Sequence, residues 1–403
     1  MTRIMKKSTI AIDTKLPRKD AFGSIAMPVY HTASYEFETA KDMADAFCGR
    51  VLAPDYSRVM NPTVMHFEDQ VKALTGAENV FAFCSGMAAI TNAFFTVIET
   101  GKNVVTSHHL FGNTVALLNK TFARFGVESR QVDLLDLEAV RQAIDDQTSC
   151  LFLEIVTNPQ MEVADIAALA EIAHERGIPL IADTTIIPFT QFSAKALGVD
   201  VEVVSSTKYI SGGATSLGGL VIDYGTFPVV NQRIRFELLF NVGSYMSPHA
   251  AYMQSLGLET LDARYRVQAQ NALTLAKRLK ELSTVNSQLS TVNFVGLEDN
   301  PFHDLAVKQF GKTAGAMLTI DLASEEACFS FIDHLQLIHR ATNLFDNKTL
   351  AIHPYSTIFG NFTAEEKRAM DVRPTTIRLS VGLEDVDDLL EDIRHAIAQT
   401  SKN

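Results

Sequence analysis

Between about residue 60 and residue 250 the chain alternates short apolar runs, each closed by turn residues, with stretches whose apolar side chains recur at helical spacing. That alternation predicts a mainly parallel sheet covered by helices, an α/β fold. Cys150-Leu-Phe-Leu-Glu-Ile-Val156 reads as a buried strand, Ala164 to Arg176 as a helix stopped by Gly177, and Ile178 to Ala182 as the next strand, ending in Asp183. Residues 199–204 and 219–222 read as further strands. Past residue 250 the register changes to a helical segment around 264–282 and strands near 316–322 and 376–381. A last helix carries Val386, Leu389, Leu390, Ile393 and Ile397 on one face. The expected division is an arm over residues 1–60, a large domain over 61–250 and a smaller C-terminal α/β domain over 251–403. The arm is read from Pro17, Pro28 and Pro54 and from the lack of a long periodic run, and such an arm is expected to pack on a neighbouring subunit.

At 403 residues the chain exceeds what one core usually serves, which agrees with two unequal domains. No window approaches the roughly 18 consecutive apolar residues of a membrane helix. The basic start, Met1 to Lys7, meets no apolar run before Asp13, so neither a span nor a secretory signal is expected and the cytoplasm is the expected location. A formal charge of −12 argues against nucleic acid and anionic lipid as partners. Cys48, Cys84, Cys150 and Cys328 lack paired spacing, so they read as free thiols, each a small buried apolar residue, with no disulfide frame and no metal site.

In such sheets ligands gather at the carboxyl ends of strands, which directs attention to the polar residues just after the apolar runs. Ser205-Ser-Thr-Lys208 follows one run and opens into Gly212-Gly213, placing Lys208 where a cleft should form; the alternative is a snorkelling surface lysine. Asp183 ends another run and suits the protonated nitrogen of a pyridine ring, or else is a cap or turn residue. Cys84-Ser-Gly-Met87 joins a run to a helix, so the amides of Gly86 and Met87 form a phosphate site by geometry, although any glycine turn between strand and helix looks similar. Phe111 is a candidate to stack on a cofactor ring, or an ordinary core phenylalanine. Arg378, a cation inside an apolar strand, demands an anion, either a substrate carboxylate held by a bidentate clamp or a protein carboxylate. No Gly-x-Gly-x-x-Gly follows an early strand, which argues against a nicotinamide cofactor.

Taken in order, Asp55-Tyr-Ser-Arg-Val-Met-Asn-Pro-Thr63, Cys84-Ser-Gly-Met87, Glu154 through Asn158-Pro159, Ile181-Ala-Asp183, Ser205-Ser-Thr-Lys208 and Arg378-Leu-Ser-Val-Gly382 resemble the pyridoxal-phosphate (PLP) enzymes of cysteine and methionine metabolism. The resemblance runs through nearly the whole chain. It implies the type I, aspartate-aminotransferase-like fold, with a seven-stranded sheet in the large domain. It also implies that Lys208 holds pyridoxal 5'-phosphate as a Schiff base and shuttles protons, that Asp183 pairs with the pyridine nitrogen, and that Phe111 stacks on the ring. Ser85, Gly86, Met87, Ser205 and Thr207 would hold the phosphate, with Thr185 and Asn158 also against the cofactor. Tyr56 and Arg58 match residues that reach it from an adjacent subunit, so the family implies active-site-sharing dimers, usually paired as homotetramers. Arg378, Asn343, Tyr56 and Asn158 fall at substrate positions.

Gly212 to Gly219, Asn343 to Leu350 and His353-Pro-Tyr-Ser-Thr357 look most like the O-acetylhomoserine sulfhydrylase branch. Departures from it are Phe111 for the usual tyrosine, Thr184 for asparagine, and Gly213 and Phe359 for histidines. A tyrosine would stack and also offer a proton, and phenylalanine keeps only the stacking. Acetate departs without a proton more readily than a thiolate does. The expected reaction is therefore γ-replacement on an O-acylated homoserine by sulfide or a small thiol, in the manner of a PLP-dependent transferase. The alternatives are a methionine or cystathionine γ-lyase, a cystathionine γ-synthase, or a non-catalytic binding protein that keeps the fold.

Overall fold

The structure, a computed structural model, describes residues 5–12, 20–312 and 314–400. Seven strands form the first sheet: β1 (Asn79–Phe83), β2 (Asn103–Ser107), β3 (Glu128–Val132), β4 (Thr148–Glu154), β5 (Leu180–Asp183), β6 (Val201–Val204) and β7 (Gly219–Asp223). Their order is β1-β7-β6-β5-β4-β2-β3, and only β7 runs against its neighbours. The expected mainly parallel sheet is present, with boundaries shifted by a few residues.

Both faces of this sheet are covered, which explains why its strands read as unbroken apolar runs. Side chains alternate along each strand: Leu151, Leu153, Leu180, Ala182, Leu220 and Ile222 enter one core, and Cys150, Phe152, Ile181 and Val221 the other. The helix Ile166–Glu175 packs Ile166, Leu169 and Ile172 into the first core, and the helix Gly86–Val97 packs Ala89, Ile90 and Phe94 into the second.

A second sheet is made of β8 (Leu289–Asn293), β9 (Met317–Leu322), β10 (His339–Arg340), β11 (Leu350–Ile352) and β12 (Thr376–Ser380), in the order β10-β11-β12-β9-β8. All pairs are antiparallel except β10 with β11. The long helix Leu261–Ser283 and the final helix Val386–Thr400 cover it, the latter through Leu389, Leu390, Ile393 and Ile397 as its periodicity predicts.

The first sixty residues differ in part from the expected extended arm. Two short helices occur there, Lys7–Ile12 and Ala40–Phe47, the second capped by the Thr39 hydroxyl on the Asp42 amide. Six and eight residues are too few to display a helical period, so the pattern missed them. The first helix folds back on its own chain: Ala11 is buried in the main core, and the Lys7 ammonium donates to the carbonyls of Phe189 and Phe192. Pro17, Asp13 and the basic residues of the start up to Ile4 lie outside the described residues. A second correction concerns the cysteines. Cys150 and Cys328 are buried as expected, but Cys48 and Cys84 are exposed, because each occupies a turn at a helix end, outside any packed face.

Among the described residues no helix is long and apolar enough to cross a membrane, and no group of His, Cys, Asp and Glu could hold a metal ion.

Candidate active site

The carboxyl ends of β1, β2, β4, β5 and β6 face one edge of the first sheet, and the reversed strand β7 begins at that edge. A cavity of 330 Å³ lies there, lined by Ser85, Gly86, Met87, Phe111, Glu154, Asn158, Asp183, Thr185, Ser205, Thr207, Lys208 and, from the second sheet, Arg378. A larger hollow of 620 Å³ between the helices Leu261–Ser283 and His303–Phe310 gathers none of these groups.

Lys208 is no snorkelling surface residue. Its amine donates to Asn343 Oδ1 at 2.9 Å, and burial, reinforced by the nearby Arg378 cation, pushes it down to about 8 against the opposing pull of Asp183. Just upstream, the Thr207 hydroxyl exchanges hydrogen bonds with Gly218, donating to its carbonyl at 3.1 Å and accepting from its amide at 3.0 Å. The loop from Ser205 to Gly219 is thereby closed on itself, which fixes the turn on which the lysine stands.

Asp183 ends β5, where it is a turn residue that also faces the cavity. One carboxylate oxygen accepts from the Thr185 amide at 2.9 Å, and the group also lines the cavity. Burial raises its pKa, while the Thr185 bonds and Lys208 act in the other direction. The Thr185 hydroxyl in turn accepts from the Ser205 amide at 2.9 Å, tying β5 to the lysine loop.

Ser85 caps the helix Gly86–Val97 by accepting from Ala88 at 3.1 Å, which leaves the amides at the start of the first turn pointing out of the helix. The approach of this turn to the lysine loop admits no side chain. A Cβ on Gly86 would stand 2.6 Å from Ser205 Cβ, and one on Gly219 would stand 2.2 Å from the Ser85 carbonyl oxygen. Free helix amides, two neighbouring hydroxyls and a glycine at the point of contact are the donor set of a phosphate cradle.

Arg378, at the centre of β12, is buried and held down to about 9 by that burial. Its Nη1 donates to Asn158 Oδ1 at 3.1 Å and its Nη2 to the Asn343 carbonyl at 3.2 Å. No carboxylate pairs with it among the described residues, and its Nε is buried without a partner. The ion-pair alternative is therefore absent. A buried guanidinium with an unspent donor beside a cavity fits a carboxylate ligand.

Phe111 lines the cavity and is outside both apolar cores, so it is free to face a planar ring. Its backbone amide donates to Glu154 Oε1 at 2.6 Å. Glu154 carried no assigned role from sequence, although a carboxylate closing the apolar run of β4 was a visible signal. Thr342, Leu344, Ile186 and Ile358 also join the lining and carried no sequence signal. Tyr56 and Arg58 are not brought to this cavity by their own chain. Tyr56 is 43% exposed, with the Arg58 guanidinium 5.4 Å from its ring centre.

A mostly buried lysine of lowered basicity, a carboxylate, an aromatic wall and a phosphate cradle around one cavity define a pyridoxal-phosphate site. The family described as Cys/Met metabolism PLP-dependent enzyme matches residues 8–398, and the chain belongs to it. It is 36% identical to the O-succinylhomoserine sulfhydrylase of Pseudomonas aeruginosa, over 94% of this chain and 93% of that one. It is also 36% identical to the L-methionine gamma-lyase of Pseudomonas putida, over 97% and 96%. A crystal structure from Campylobacter jejuni, of a protein described as an O-acetylhomoserine (thiol)-lyase and containing a pyridoxyl-lysine phosphate, superposes with a TM-score of 0.93. The identity to that protein is 32%, with 98% of this chain and 100% of that one covered. The aspartate-aminotransferase-like fold and the pyridoxal-phosphate cofactor expected from sequence both hold.

Proposed function

We propose that this enzyme carries out γ-replacement on an O-acylated homoserine, with sulfide or a small thiol as the incoming group and homocysteine or a related thioether amino acid as product. Pyridoxal phosphate, when bound, supplies an electron sink that makes protons on the substrate's Cα and Cβ removable. Lys208 is the residue that carries it, and the same amine takes and returns protons along the substrate. An amine held at about 8 has a sizeable neutral fraction at neutral pH and so acts as a base there. Asp183 keeps the ring nitrogen protonated, Ser85, Gly86, Met87, Ser205 and Thr207 hold the phosphate, and Thr185 and Asn158 complete the cofactor's surroundings. Arg378 takes the substrate carboxylate through the donors that Asn158, Asn343 and the empty Nε position leave available.

The observation that carries the choice of reaction is Phe111. Phe111 itself brings no hydroxyl to the cavity, so a leaving group that departs as a stable carboxylate is favoured over one that needs a proton. The names of the P. aeruginosa and C. jejuni relatives support this reading. The P. putida relative favours a second one, γ-elimination from methionine or cystathionine. Incubation with O-acetylhomoserine and sulfide, then with methionine, separates the two: homocysteine in the first incubation supports replacement, and an α-keto acid with ammonia in the second supports elimination. Lys208→Ala should abolish both the visible absorption of the bound cofactor and turnover, and retained turnover would end the proposal.

We also assign the enzyme to the cytoplasm and to a homotetramer of dimers, in which Tyr56 and Arg58 complete the neighbour's site. Support for the dimer comes from the exposed apolar side chains of the segment that leads to Tyr56, Phe47, Val51 and Leu52, with the exposed Phe236 near Gly49 of the same segment. Sedimentation velocity checks the assembly, and a monomer retaining full activity would refute it.

A further inference from the structure

Two acidic residues end adjacent strands at the floor of the cavity. Glu154 and Asp183 are register partners on β4 and β5, so their side chains leave the sheet edge side by side. Only Asp183 is needed to meet the ring nitrogen. Glu154 is buried, and among the described residues the one hydrogen bond to its side chain is the 2.6 Å bond from the Phe111 amide. We infer that Glu154 is a positioning residue: it ties the peptide that carries Phe111 to the strand end next to Asp183, so that the wall stacked on the cofactor ring and the partner of its nitrogen are set by one rigid unit.

Leu110 is buried in the second core and the Phe111 carbonyl accepts from the Thr114 and Val115 amides, but among the described residues only Glu154 accepts from the Phe111 amide. Phe111 begins the five-residue helix Gly112–Ala116 without a side-chain cap, and its amide has no backbone acceptor. The next residue, Gly112, lies so close to the Ile358 carbonyl that an added Cβ would stand 2.8 Å from its oxygen. Glu154 thus fixes the Phe111 amide, and the Ile358 carbonyl closely bounds the next residue. Burial, and after it the neighbouring Asp183, pushes Glu154 toward its protonated form; burial raises Asp183 as well, but there the Thr185 bonds and Lys208 oppose it. A neutral carboxyl still accepts from an amide through its carbonyl oxygen. The role assigned to Glu154 therefore needs an acceptor at a given reach and does not need a charge.

This inference rests on Lys208 being the cofactor site, and the test separates the two. Glu154→Gln keeps both reach and acceptor, whereas Glu154→Asp keeps the acid and withdraws the acceptor by one methylene. Visible circular dichroism of the bound cofactor reads the asymmetry of the ring's surroundings, cofactor dissociation reads its hold, and kcat against KM reads the reaction. Glu154→Gln should stay within about twofold of the parent in all three. Glu154→Asp should lose most of the visible dichroic signal, release cofactor about tenfold faster and lower kcat with little change in KM. Combining Glu154→Asp with Phe111→Leu should cost no more than Phe111→Leu alone, because both act through one ring. An unchanged Glu154→Asp, a Glu154→Gln as impaired as Glu154→Asp, or additive losses in the double variant would each overturn the inference. A parent enzyme with no visible band would instead overturn the cofactor reading itself.

Discussion

The lowered basicity of Lys208 is a quantity that the apoenzyme can be made to reveal. An ordinary lysine, at 10.5, is uncharged in about one molecule in 300 at pH 8, whereas an amine held at about 8 is uncharged in half of them. The difference corresponds to about 3 kcal/mol against the ammonium form, with burial as the larger cause and Arg378 as the second. Only the free amine captures an aldehyde. If enzyme stripped of cofactor is mixed rapidly with pyridoxal phosphate and the visible absorption is followed, the capture rate should rise about tenfold per pH unit and level off with a midpoint near 8. Arg378→Gln removes the second cause, so the midpoint should move up, though not as far as 10.5, since burial remains. Asp183→Asn removes the opposing carboxylate and should move it down. A rate still climbing tenfold per unit well above pH 9, or a midpoint indifferent to Arg378→Gln, would refute this electrostatic account.

Three further outcomes are expected. Gly86→Ala should weaken cofactor binding at least about tenfold and lower apoenzyme stability by about 1–3 kcal/mol, read by fluorescence titration and thermal melting, because the new methyl meets Ser205 at 2.6 Å. Phe111→Tyr should raise α-keto acid release from methionine or cystathionine, and an unchanged rate would remove the missing hydroxyl from the argument about leaving groups. His109 joins the Phe111 segment to Glu162 at 2.6 Å and to Asp371 at 3.0 Å; burial alone would lower its pKa, but the two carboxylates raise it above 6.5. Its contribution to stability is then fully present below about pH 6.5 and is lost as pH rises through the folded-state value. His109→Asn should accordingly shrink the drop in melting temperature between about pH 6 and pH 9.

The sheet and most of the site were legible in sequence for the same reason. Strands buried on both faces must be apolar throughout, so Asp183 and Lys208 mark where burial stops and the ligand edge begins. Glu154 was equally visible as a charge closing β4, but its role depends on a hydrogen bond to a residue 43 positions away, which no local pattern encodes. Arg378 could be read as a cation requiring an anion, yet the choice between ligand and ion pair rested on the absence of a nearby carboxylate, a matter of packing across two sheets. The helices Lys7–Ile12 and Ala40–Phe47 were illegible because they are shorter than the period that would reveal them. Tyr56 and Arg58 remain away from their own chain's cavity, and within one chain nothing local could have located them.

The polarity of the seven-stranded sheet has a practical consequence for anyone wishing to modify this molecule. Its strand starts open onto turns such as Gly76, Gly101 and Gly177, all with φ between 68° and 85° and with nothing within 4 Å of an added Cβ. These turns lead into β1, β2 and β5, at the opposite rim from the residues that handle the ligand. Grafted peptides, dyes or surface anchors belong on that rim, where the same strands that carry Asp183 and lead to Ser85 at the site serve as spacers holding the attachment away from it.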